Sequence, residues 1–162
     1  MLRIEGLVSG YTSIPVLKGV SLTVPGDGIV GVLGANGAGK TALLRDLADH
    51  RGMDVLNAGV TLGARLAALP PTQRHLQAST VLRELAHEHA KDDVLLLDNI
   101  ELLFDRSLLL NPLDTLKRHA HARRVVAAWP GEFSDGRLTY AALGHPEHQD
   151  FGTAGWVPFE LE

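Results

Sequence analysis

Eight consecutive residues, Gly34-Ala35-Asn36-Gly37-Ala38-Gly39-Lys40-Thr41, form a complete G-x-x-x-x-G-K-[ST] pattern. The chemistry that asks for these types in this order is the binding of a nucleoside polyphosphate. Glycines let successive main-chain N–H groups turn inward around phosphate oxygens with no Cβ in the way. A helix starting at the end of the loop adds unpaired N–H donors and the positive end of its dipole. Lys40 supplies a mobile positive charge for the β- and γ-phosphates, and Thr41 a hydroxyl for Mg²⁺. The second protein ligand of that ion is expected at the end of a buried strand. Val94-Leu95-Leu96-Leu97-Asp98 provides it, an apolar run closed by a carboxylate. Asp98 is expected to hold Mg²⁺ through a bound water. Hydrolysis also needs a group that polarises the attacking water. The nearest carboxylate is Glu101, with Asn99 between it and Asp98. Glu101 is therefore the candidate base beside Lys40, and a solvated first-turn glutamate favoured by the helix dipole is the equal alternative. Tyr11, ahead of the loop, is a candidate for stacking on adenine; the alternative is a hairpin aromatic packed on Val16 or Leu17.

The loop has to sit between a strand and a helix, and the flanking sequence supplies both. Ile29–Leu33 is a nearly continuous apolar run, the pattern of a strand buried on both faces. From Gly39 to about His50, Ala42, Leu43, Leu44, Leu47 and Ala48 recur at helical spacing, and the pattern stops near Gly52. Ahead of the loop, Leu2–Val8 and Gly19–Val24 roughly alternate apolar and polar residues. The turn region between them holds Gly10, Ser13 and Pro15, which predicts an antiparallel hairpin. Further strands are expected at Val55-Leu56, Asp93–Leu97 and Val125–Ala128, and at Arg137–Ala141 after the Ser134-Asp135-Gly136 turn. Helices are expected over Leu62–Leu69, ended by Pro70-Pro71, over Thr80–Ala90, and from Pro112 through Leu113, Leu116 and Ala120. Beyond Gly144 the sequence is rich in Gly, Pro and His, and residues 145–162 read as a loose tail. Strands alternating with helices imply an α/β P-loop NTPase, a mostly parallel sheet with helices on both faces. The short hairpin of residues 1–27 precedes it, all within a single domain of residues 1–162.

Composition agrees with that reading. A chain of 162 residues is short for two domains, and its 45% apolar content argues against disorder. The absence of cysteine excludes disulfides, thiolate metal sites and cysteine nucleophiles. None of the histidine pairs His87/His89, His119/His121 or His145/His148 has an H-E-x-x-H pattern, so zinc is not expected. The net charge of −4 argues against a polycation. One basic cluster, Lys117, Arg118, His119, His121, Arg123 and Arg124, leaves contact with a DNA backbone open, although the charge balance favours a solvated helix end. No apolar run approaches the ~20 residues that span a bilayer, so no membrane anchor and a cytoplasmic location are expected.

Residues 2–47 resemble the start of an ABC-type ATPase domain. The matching text is Leu2-Arg3-Ile4-Glu5-Gly6-Leu7, Val16-Leu17-Lys18-Gly19-Val20-Ser21-Leu22, and Gly31 through Leu44. In that family the aromatic at the place of Tyr11 stacks on adenine, and ATP with Mg²⁺ is the implied ligand. Downstream there is no L-S-G-G-Q-type signature, Asn99 stands where the family has a glutamate, and Trp129-Pro130-Gly131 offers no switch histidine. The family's head-to-tail ATP sandwich is therefore not expected. From about Leu62 to His148 a second resemblance takes over, to the BrxF family, small P-loop proteins of type 3 BREX (bacteriophage exclusion) systems. It rests on Leu66 through Arg74, Asp98-Asn99-Ile100-Glu101-Leu102-Leu103-Phe104-Asp105, Val125 through Trp129, Gly136 through Ala141, and Gly144-His145-Pro146-Glu147. This resemblance implies an ATP-binding component of an anti-phage complex, with other defence proteins as partners and slow or partner-stimulated hydrolysis to ADP and phosphate. A non-hydrolysing nucleotide-dependent adaptor is one alternative. A truncated ABC-type ATPase subunit that pairs with a second copy is the other.

Overall fold

Two apolar layers, one on each side of a parallel sheet, organise the chain in a computed structural model. It describes residues 2–11, 14–24, 29–34, 39–141, 144–146, 148–152 and 156–161. The chain opens with an antiparallel pair, β1 (Leu2–Tyr11) and β2 (Ile14–Val24). This hairpin is longer than its apolar alternation suggests, and Pro15 lies inside β2, opposite Gly10. The sheet proper follows: β3 (Ile29–Leu33), α1 (Lys40–Arg51), β4 (Leu56–Asn57), α2 (Ala58–Ala67), α3 (Arg74–His89), β5 (Val94–Asp98), α4 (Pro112–Ala122) and β6 (Arg124–Ala128). Next come β7 (Glu132–Ser134), β8 (Arg137–Tyr140) and β9 (Gln149–Gly152), an antiparallel sheet of three strands, and then β10 (Trp156–Glu160). The five-stranded sheet runs β10-β3-β6-β5-β4, and every neighbouring pair in it is parallel.

Alternation along the strands divides the core. Val30 and Val32, Val94 and Leu96, and Val126 and Ala128 face α1, which buries Leu43, Leu44, Leu47 and Ala48 against them. Ile29 and Leu33, Leu95 and Leu97, and Val125 and Ala127 face the opposite layer, built from α2, α3 and α4. Both faces of β3, β5 and β6 are thus covered, which is why these strands read as continuous apolar runs.

Three boundaries depart from expectation. Helix α2 starts at Ala58 rather than Leu62, because Asn57 caps it by accepting the Val60 N–H at 3.0 Å. Helix α3 starts at Arg74 rather than Thr80. Its first turns are exposed and carry no apolar stripe, but Arg74 Nε donates to the carbonyl of Leu66 at 2.9 Å and ties α3 to the end of α2. The expected loose tail is the largest correction. Residues 149–152 form β9, and Trp156–Glu160 pairs along the whole length of β3. Trp156 lies over Gly31, where an added Cβ would stand 1.5 Å from the indole ring.

Five aromatic side chains bind the small sheet to the large one. Trp129, just past β6, is fully buried, with its ring edge-on to Phe104 at 5.2 Å, Phe151 at 5.8 Å and Trp156 at 5.2 Å. Tyr140 of β8 stacks on Phe104 at 4.0 Å.

Candidate functional site

In a parallel α/β sheet, ligands bind at the carboxyl ends of the strands. Here that edge gathers β3 and its loop, Asp98, Trp129 and Asn57. Val32 pairs with Ala128, and Leu97 with Ala127, so Asp98 stands level with Val32 one strand beyond β6. Asn57, paired with Asp98, closes the row. With strands about 4.8 Å apart, the main chain at Asp98 lies about 10 Å from that of Val32.

Gly39 and Lys40 occupy the start of α1. Gly39 is the N-cap at φ 100°, a conformation that disfavours any side chain, and its carbonyl accepts the first helical bond from the Leu43 N–H at 2.8 Å. No side chain caps this end, so the N–H groups of the first turn are free for another acceptor. Lys40 is the first helical residue and half-buried, and Thr41, also half-buried, follows. The Lys40 ammonium donates to the main-chain carbonyl of Trp129 at 3.1 Å. Gly34 ends the described part of β3's exit; Ala35, Asn36, Gly37 and Ala38 lie outside the described residues.

Asp98 is 6% exposed, and by alternation it projects to the α1 side of the sheet. Its Oδ1 accepts the Asn99 N–H at 2.9 Å, and no cation pairs with it among the described residues. A buried carboxylate on the α1 side and a threonine hydroxyl in the first turn of α1 are oxygen donors of the kind that suits a hard divalent cation. Asn99 takes a left-handed conformation (φ 52°), which asparagine tolerates, and opens a short 3-10 helix over Ile100–Phe104. In that helix Ile100, Leu103 and Phe104 are buried while Glu101 is exposed. Among the described residues no hydrogen bond joins Glu101 to Lys40, Thr41 or Asp98. Tyr11 ends β1 opposite Ile14, and its side chain lies outside the described residues.

Trp129 is the site contact that residue types did not single out. It reads as a core aromatic and is one, but its carbonyl also receives Lys40. A main-chain acceptor carries no signal in the sequence.

No protein-family model matches the chain. The hemin import ATP-binding protein HmuV of Pseudomonas fluorescens is 30% identical over 156 residues, covering 82% of this chain and 61% of that protein. Its namesake from Pseudomonas aeruginosa is 31% identical over 156 residues, with the same coverage. The ABC-type transporter ATP-binding protein EcsA of Bacillus subtilis is 43% identical over 61 residues, 35% of this chain and 25% of that protein. The chain is similar to ABC-type ATP-binding proteins. An alignment over 82% of the chain reaches well past residue 47, so the ABC-like character is not confined to the opening. The chain spans between a quarter and about three-fifths of the length of these curated relatives. Among solved structures, a Pyrococcus furiosus chain assigned as an ABC transporter ATP-binding protein superposes with a TM-score of 0.49 at 14% identity, covering 83% of this chain and 94% of that one. No helix among the described residues is long and apolar enough to cross a membrane.

Proposed function

We propose that this chain binds Mg·ATP at the carboxyl edge of its parallel sheet, in the cytoplasm, and hydrolyses it slowly or only with a partner. The observation that carries the reading is the uncapped start of α1, with Gly39, Lys40 and Thr41 in sequence, facing the row that holds buried Asp98. Similarity to ATP-binding proteins supports ATP as the nucleotide.

In this reading the N–H groups from Gly34 through Thr41, with Ala35, Asn36, Gly37 and Ala38 in the turn, surround the phosphates. Lys40 neutralises the β- and γ-phosphate charge, and Tyr11 stacks on adenine. Thr41 and Asp98 hold Mg²⁺, which when bound offsets charge on the phosphate oxygens. Asn99 has no carboxylate to draw a proton from water, and Glu101 is exposed, so turnover without a partner is slow.

Calorimetry and phosphate release test this together. Lys40→Ala is expected to abolish ATP binding. Glu101→Gln is expected to lower turnover at least about 100-fold if Glu101 is the base. Turnover unchanged in Glu101→Gln, with binding intact, leaves the non-hydrolysing adaptor in its place. ATP binding by the Lys40→Ala protein equal to wild type overturns the site.

Similarity to HmuV favours a second reading, an ABC-type nucleotide-binding unit that pairs with a second copy. A shift to dimer on adding ATP, seen by size-exclusion chromatography with light scattering, supports it; a monomer at saturating ATP removes it. The defence role rests on the resemblance of residues 98–105 and 125–129 to the BrxF family. Its test is phage plating on cells carrying the complete defence system, where Lys40→Ala is expected to abolish restriction and full restriction overturns the role.

A further inference from the structure

The ammonium of Lys40 has two acceptors to choose between. One is the phosphate of the proposed nucleotide, and the other is the carbonyl of Trp129, which holds it at 3.1 Å in the nucleotide-free chain. A charged phosphate oxygen is the stronger acceptor of the two. We propose that Lys40 is a two-position latch: bound phosphate draws it off the Trp129 carbonyl, and the three-stranded sheet β7–β9 registers the release. The latch rests on the nucleotide-binding reading above and adds a regulatory step at the same site.

Trp129 is built to pass such a change on. Its main-chain N–H is fixed to the Val32 carbonyl at 2.8 Å, on the strand that feeds the phosphate loop. Its indole N–H donates to the Thr139 carbonyl of β8 at 3.0 Å. Its ring touches Phe104, which follows Asp98 by way of the 3-10 helix, together with Phe151 of β9 and Trp156 of β10. One residue therefore has its peptide at the site and its ring in the joint between the two sheets. Gly131 makes the joint tight, since a Cβ there would stand 1.6 Å from the Thr139 carbonyl oxygen. In an interior packed at crystal-like density, a displaced peptide moves its ring, and the ring moves its neighbours.

Hydrogen exchange read by mass spectrometry, with calorimetry alongside, separates the latch from the reading it rests on. In nucleotide-free Lys40→Met, checked as folded by circular dichroism, amides of residues 129–140 should exchange severalfold faster than in wild type. Wild type with saturating Mg·ATP should show the same acceleration in 129–140 while calorimetry registers binding. Heat of binding with no change in 129–140 overturns the latch and leaves nucleotide binding standing, whatever Lys40→Met does. Slow wild-type-like exchange in folded Lys40→Met overturns the tether itself. No heat from Mg·ATP overturns the nucleotide reading, and the latch falls with it. If Lys40→Met does not fold, the wild-type comparison with and without Mg·ATP decides alone.

Discussion

Gly31 and Trp156 show how much one missing side chain can decide. Gly31 stands in the middle of β3, opposite Pro158 of β10, and the space a Cβ would need is filled by the Trp156 ring at 1.5 and 1.9 Å. An indole set in a strand and ringed by Trp129 has no free rotamer to retreat to. Gly31→Ala should therefore destabilise the protein by about 3 kcal/mol, the upper part of the range for overpacked cores. Urea unfolding measures it, and Gly31→Ala combined with Trp156→Leu should recover part of the loss. A neutral Gly31→Ala would mean that Trp156 does not pack on β3 as described. The same residue scale explains what could be read of the site beforehand. Lys40, Thr41 and Asp98 announce themselves by type and spacing, because phosphate and metal binding need particular side chains. The grip of Trp129 on Lys40 does not, because any residue at that position would offer the same carbonyl.

Among the elements, α4 carries a charge pattern with a measurable consequence. Asn111 caps it by accepting the Asp114 N–H at 3.1 Å, and Pro112 occupies its first position. Near its other end, His119 is held below its ordinary pKa of 6.5, first by burial and then by Arg123, Arg118 and Arg83. A histidine with a lowered folded pKa is neutral in the folded chain while the unfolded chain already takes a proton. Its contribution is thus complete above 6.5 and is lost as the pH falls from there through the folded value. The melting temperature should drop on acidification over that window, and His119→Gln should flatten the profile. Identical slopes in the two proteins would remove His119 as the cause. Elements also differ in how visibly they are written. The strand Ile29–Leu33 has the bounds its apolar run predicts, because burial on both faces leaves an unbroken signature. The start of α3 is hidden, since exposed turns held by an arginine–carbonyl bond need no apolar stripe. Strand β10 is hidden for a different reason. Pro158 argues against a strand, yet an edge strand pairs on one side only and tolerates it.

At the scale of the whole molecule, the antiparallel sheet β7–β9 and the parallel sheet share one aromatic joint. Both tryptophans of the chain lie in it. Their emission should therefore follow the loss of the joint, while far-UV circular dichroism follows all the helices. The two curves should coincide in urea as one cooperative transition. A tryptophan transition that precedes the helical one would show the small sheet melting by itself. Trp156→Ala should lower the common midpoint, at a cost of about 3–5 kcal/mol.

The order of strands in the large sheet also sets a timetable. β3 lies between β6 and β10, and β10 is the last strand described. A ribosome extrudes β3 early and both of its neighbours late. Through most of translation, the strand that carries the phosphate loop has two bare edges and an apolar surface with no cover. Nascent chains of this protein should thus be clients of a holding chaperone until Trp156 emerges, and a stall anywhere before it yields a product that aggregates rather than a smaller working domain.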